Sequence, residues 1–205
     1  MCRKITLILN TLNFLYPNPK PFLDFDSPFT CLIAVLLSAQ TTDLRVNQIT
    51  PKLFALANTP KQMSTLSMQT LESLIFPLGL SQIKAKAILN LSKLLLERHD
   101  GLVPCSFEHL EALPGVGHKT ASVILSQIFQ IPTFPVDTHI HRCARRWGLS
   151  NGKSVTQTEK DLKQKFPQDS WNRVHLQILS FAREYCKATQ HNPNDCPICQ
   201  PLKTL

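Results

Sequence analysis

Two side chains in this sequence could make or break bonds, and a third group could hold a metal. Lys119 lies in "LPGVGHKTA", residues 113 to 121, just after a Gly-Val-Gly turn and at the start of an apolar helical pattern. An ammonium beside the positive end of a helix is there against the local field. Two uses account for it. A cation at this position can meet phosphate together with the free N–H groups of the helix. An amine there can also act as a nucleophile, which requires the neutral form. A free lysine at pH 7 is neutral in on the order of one molecule in a few thousand, and desolvation or nearby positive charge raises that fraction. The residues alone leave both uses open. Asp137, in "VDTH", either caps the helix starting at Thr138 or serves as a charge-stabilising or proton-shuttling carboxylate.

The third group is C-terminal. Cys186, His191, Cys196 and Cys199 read C-x4-H-x4-C-x2-C, an order that can close a tetrahedral zinc site. The other four of the seven cysteines, Cys2, Cys31, Cys105 and Cys143, are scattered. An odd, uneven count is no disulfide framework; it points to a reducing compartment with one candidate metal site.

The elements that must position these groups are helices. Phe29, Leu32, Ile33, Leu36, Leu37 and Gln40 follow an i, i+3, i+4, i+7 pattern, so this stretch is expected to be a buried helix. Thr59-Pro60 and Ser106 are helix starts, and Thr156 with Glu159 forms a capping box. Ile88, Leu91, Leu94 and Leu95 stripe another helix ending near Gly101, and Trp171, Val174, Ile178, Ala182 and Tyr185 stripe the last long one. Residues 5 to 9 are read as part of an N-terminal helix, since no small-residue cleavage site follows them. No alternating strand stands out. The fold class is all-α, with roughly ten short helices.

Apolar residues make up 43% of the 205, enough for a packed core and too many for a disordered chain. No run is long enough to span a bilayer. The net charge of +8 favours a polyanionic partner, with nucleic acid ahead of a membrane surface. "HLEALPGVGHKTASVIL" is a helix, a tight glycine turn and a helix. Its backbone N–H groups can grip a phosphate chain without reading bases.

That hairpin is similar to the helix-hairpin-helix motif of the DNA glycosylases of the endonuclease III family. Three more stretches resemble the family in the same order: "SPFTCLIAVLLSAQTTD" (27–43), "PLGLSQIKAKAI" (77–88) and "PVDTHIHR" (135–142). The resemblance covers residues from about 20 to 186. It implies two helical lobes with an active-site cleft between them. One lobe is residues 21–130, ending in the hairpin at about 107–130; the other is 1–20 with 131–205.

The resemblance also implies an activity: a bifunctional DNA glycosylase and abasic-site lyase removing oxidised pyrimidines from duplex DNA. Lys119 would form a Schiff base, with β-elimination cutting the strand, and Asp137 would assist. Gln40 would fill the gap left by a flipped base, and Leu80 would wedge the opposite strand. Lys84, with Lys86, would meet phosphate, as would Gly115, Val116, Gly117 and His118 of the hairpin. Ser38, Asp43 and His139 would line the pocket. Damaged double-stranded DNA is the partner, the protein is a monomer located in the cytoplasm with the chromosome, and no membrane is involved. Two other readings stay open: a monofunctional glycosylase of the same superfamily, and a non-catalytic helix-hairpin-helix DNA-binding module. Family members often carry a [4Fe–4S] cluster on four cysteines, C-x6-C-x2-C-x5-C. Here the first spacing is longer and Leu205 stands at the fourth position. The expectation is therefore an altered cluster, a zinc ion, or no metal, and the chemistry needs none of them.

Overall fold

A computed structural model describes residues 3–204. Cys2 and Leu205 lie outside the described residues. The chain forms two units, Pro21–Phe129 and Met1–Lys20 with Gln130–Leu205. Twelve α-helices and two short 3-10 turns make up the described residues, with no strand among them.

The first unit is built around α2 (Pro28–Leu37), in which every residue from Phe29 to Leu37 is buried. A helix apolar on all sides has to be central. Ser27 starts it: its Oγ accepts from the Thr30 amide, and the Thr30 hydroxyl accepts from the Ser27 amide. Around α2 lie α3 (Asp43–Leu56), α4 (Pro60–Thr65), α5 (Met68–Ile75), α6 (Ser81–Arg98), α7 (Phe107–Glu111) and α8 (His118–Gln127). α6 packs on α4 and α5, and α8 packs on α2 and α7. Each fully buried Leu or Ile in this core contributes roughly 1.5–3 kcal/mol of transfer free energy.

The second unit joins the N-terminal helix α1 (Arg3–Leu15) to α9 (Thr138–Arg146), α10 (Val155–Lys165), α11 (Trp171–Glu184) and α12 (Cys199–Leu202). Ile5, Ile8 and Leu12 are buried on α1, which packs on α11. The end of α1 has no basic residue in its last turn. Buried Gln177 serves that end instead: its Nε2 donates to the carbonyls of Leu12 at 3.4 Å and Tyr16 at 2.9 Å. The Tyr16 hydroxyl donates to Glu184 at 2.6 Å. Burial, then this carboxylate, hold the phenol well above its ordinary pKa. Trp147 meets Phe181 edge to face at 5.5 Å between centroids, closing the core under α9 and α11.

Side-chain caps start most of the helices. Ser27, Thr42, Thr59, Ser67, Ser106, Asp137 and Ser154 each accept from a first-turn amide. One expected start is corrected. α10 begins at Ser154, whose Oγ accepts from the Gln157 amide, so Thr156 lies inside the helix. Glu159 is buried on that helix and pairs with Lys163 one turn on. Ser154 lies two residues earlier and offers the same chemistry, so it captures the terminus.

Candidate active site, DNA-contact turns and metal-ligand cluster

α6 and α8 start differently. Neither has a side-chain cap, a feature they share with α11 and the single-turn α12 among the described helices: α6 begins after Leu80 and α8 after Gly117. An uncapped N-terminus leaves its amides for an external acceptor, and the helix field favours an anion there. These are the two starts expected to meet DNA.

The hairpin between α7 and α8 is shaped by Gly115, at φ +79°. A Cβ there would meet Ala87 Cβ and Leu36 Cδ1, both at 3.0 Å. The glycine therefore serves both the turn and its seating on α2 and α6. Val116 is buried, so only its backbone can face a ligand. Gly117 and Lys119 are exposed. His118 Nδ1 lies 2.7 Å from Glu111, and its ring stacks on Phe107 at 4.9 Å. That pair fixes the imidazole at the mouth of the turn. Glu111 lies seven residues before the histidine and faces it only because the chain reverses between them.

Gln40 and Leu80 share an unusual conformation. Both are non-glycine residues at positive φ, +56° and +52°. Such backbone costs about 1–3 kcal/mol and is found disproportionately at functional sites. Gln40 is exposed on the turn between α2 and α3, with half-exposed Ser38 and Asp43 at either side. The Ser38 hydroxyl donates to the Val35 carbonyl at 2.8 Å. Leu80 is 47% exposed. It follows Gly79 at φ +69°, ψ 160°, a region open essentially only to glycine. Nearby Ile83 is also exposed. The turn thus presents apolar side chains to solvent.

Lys84 departs from expectation. It is only 4% exposed, and its Nζ donates to the carbonyls of Leu37 at 3.0 Å and Leu78 at 3.2 Å. Burial holds its ammonium below the ordinary lysine pKa. It is an internal brace between the end of α2 and the turn before α6, with its ammonium held inside the unit. Lys86, two residues on, is the exposed cation of the pair.

In the other unit, Asp137 caps α9. One carboxylate oxygen accepts from the amides of His139 and Ile140, both at 2.9 Å. The residue is half-exposed, so capping does not bury it. His139 Nδ1 lies 3.3 Å from Arg142 Nη2 and, facing a guanidinium, must accept. Arg142 also donates to the carbonyls of Ala182 and Cys186. These bonds tie the start of α9 to the cysteine loop.

The loop gathers its ligands. One ligand atom each from Cys186, His191, Cys196 and Cys199 lies within 4.8 Å of all the others, and the three cysteines are buried. Such a set is compatible with a metal ion. His191 Nε2 is buried without a hydrogen-bond partner. Hydrogen bonds from Cys143 first, then from Cys196 and Cys199, favour the thiolate at Cys186. Arg146 adds another bond to that sulfur at 3.4 Å and holds the carbonyls of Cys186 and Lys187. Arg146 and Cys143 lie outside the C-x4-H-x4-C-x2-C pattern. Their signal is spacing: 143 and 146 are one turn apart on the face of α9 that also carries Arg142 and His139.

A concavity of about 890 Å³ in the first unit is lined by Phe25, Phe29, Phe54 and Phe129 among others, and includes neither Lys119 nor Gln40.

Residues 33–168 match the family model described as the HhH-GPD superfamily base excision DNA repair protein. Endonuclease III of Escherichia coli strain K12 is 42% identical over 191 residues, covering 93% of this chain and 90% of that protein. A solved non-covalent endonuclease III–DNA complex superposes with a TM-score of 0.93 at 36% identity, covering 100% of this chain and 98% of that one. A trapped endonuclease III–DNA covalent intermediate gives 0.92 at 36% identity, covering 97% and 94%.

Proposed function

Because the chain belongs to the HhH-GPD superfamily of base excision DNA repair proteins, and within it to the endonuclease III family, we propose that it removes damaged pyrimidines from duplex DNA and then cuts the strand. It is a bifunctional DNA glycosylase and abasic-site lyase. The observation that carries the residue assignment is Lys119: an exposed amine in the first turn of a helix that has no cap of its own.

The chemistry follows from the amine. The neutral nitrogen of Lys119 attacks C1′ of the damaged nucleotide, and the bond from C1′ to the base breaks. The sugar opens to a Schiff base on Lys119. Loss of a proton from C2′ then expels the 3′ phosphate by β-elimination, and water releases the lysine. The first-turn amides of α8 and the turn at Gly115 and Gly117 hold the phosphate chain so that C1′ stays within reach. Asp137 accepts the lysine proton or offsets positive charge developing on the sugar. One oxygen of its carboxylate caps α9 and fixes its direction.

The base must leave the stack before it can be reached. Gln40 enters the gap, and Leu80 opens the opposite strand. Their exposure and positive φ support those roles. Ser38, Asp43 and His139 line the pocket. The protein acts as a monomer on chromosomal DNA in the cytoplasm. No described helix is long and apolar enough to cross a membrane. The cysteine loop takes a metal in a structural role, either a [4Fe–4S] cluster or a zinc ion.

The experiment is strand nicking of a duplex carrying one thymine glycol. Wild type is expected to nick, and Lys119→Ala is expected to fall to background while still binding the duplex. Equal nicking by the two would remove Lys119 from the chemistry. Binding without nicking by wild type would favour the non-catalytic module.

A further inference from the structure

A four-iron cluster and a single ion ask for different ligand spacings. In a [4Fe–4S] cube each ligand atom caps a different iron, so the four lie about 6 Å or more from one another. Around one zinc ion, bonds of about 2.3 Å to sulfur and about 2.0–2.1 Å to nitrogen put the ligand atoms about 3.5–3.8 Å apart. Here all four lie within 4.8 Å of one another. A contraction of about 1.0–1.3 Å at most closes a tetrahedron. A cube would require the loop to open.

The donor set agrees. Three thiolates and one imidazole suit zinc, whereas the cube normally wants four thiolates. One ring nitrogen of His191, Nε2, is buried and without a hydrogen-bond partner in a loop otherwise rich in hydrogen bonds. A lone pair held away from water without a donor is what a metal ion would take up. The charge also balances. Three thiolates around a divalent ion leave one negative charge, and Arg146 donates to the Cys186 sulfur.

We propose that Cys186, His191, Cys196 and Cys199 bind a single zinc ion in a closed tetrahedral site, in place of the iron–sulfur cluster implied by the family resemblance. The inference rests on reading this loop as a metal site. It is independent of the chemistry at Lys119.

The test is metal and acid-labile sulfide content of the full chain, purified from cells supplied with both iron and zinc. The expected result is about one zinc per chain, no labile sulfide and no broad visible absorption. Iron with labile sulfide would overturn the zinc assignment and keep the metal reading. A folded chain with neither metal would overturn both. Zinc affinity is then measured by competition with a chromogenic chelator. His191→Ala is expected to weaken binding by at least about 100-fold, since changes to groups that merely support a ligand already cost about 10- to 100-fold. His191→Cys, which supplies another ligand, is expected to bind within about tenfold of wild type. Wild-type affinity in His191→Ala would overturn the fourth ligand, as would zinc loss in a folded His191→Cys.

Discussion

Asp137 does two things that a single substitution can separate. Its carboxylate caps α9 through two amides, and an asparagine caps about as well. Asp137→Asn is therefore expected to fold with wild-type stability, within about 0.5 kcal/mol. It should lose roughly 10²–10⁴-fold in single-turnover base release, the usual cost of removing a general acid or base. Wild-type rates with an intact cap would reduce Asp137 to a structural residue. Lys84 and Lys86 make a second pair. Lys84→Met leaves two carbonyls without their donor, a loss of about 1–3 kcal/mol in urea unfolding, with the salt dependence of DNA binding unchanged. Lys86→Ala is expected to do the reverse, reducing the slope of log K against log salt by about 0.9, the value for one phosphate contact. A changed slope in Lys84→Met would contradict its role as a brace. The inward direction of Lys84 was legible in principle. Stepping back four from Ile88 lands on 84, on the stripe that buries Ser81, Ala85, Leu91 and Leu95. The polar look of "SQIKAK" hid that periodicity.

At the scale of elements, period and capping residues carried most of the fold. The buried run of α2 as far as Leu37, the starts at Thr59 and Ser106, and the stripe of α11 are all present, while Gln40 lies past the helix end on an exposed turn. Boundaries were harder, because neighbouring residues compete for one cap, as Ser154 and Thr156 do. The tie between α1 and α11 was not legible, since Gln177 and Tyr16 meet partners more than 160 residues away. That tie carries a pH dependence. The folded state holds the Tyr16 phenol above its ordinary value of 10.0. Its contribution is therefore fully present below pH about 10 and is lost as pH rises further and the unfolded chain ionises. Tyr16→Phe is expected to be less stable by about 1 kcal/mol at neutral pH, the worth of one hydrogen bond. Its deficit against wild type should shrink above pH about 10. Urea unfolding at pH 7 to 11 measures both, and a constant deficit would contradict the shift.

At the scale of the molecule, the ordering of four motifs along one basic chain was more informative than any one of them. A glycine turn alone describes many helical corners. A glycine turn followed by lysine, with a Val-Asp-Thr-His stretch beyond it and an apolar helix well before it, describes a family. The metal loop was less legible, because a ligand count of three cysteines fits several outcomes. Only the folded loop shows His191 placed among the sulfurs. The central claim is that Lys119 becomes covalently attached to DNA during the reaction. The most direct measurement is borohydride trapping on a labelled thymine-glycol duplex, with Lys119→Ala beside wild type. The expected result is a stable protein–DNA adduct in wild type and none in the variant. An equal adduct in Lys119→Ala would place the nucleophile on another amine and contradict the account.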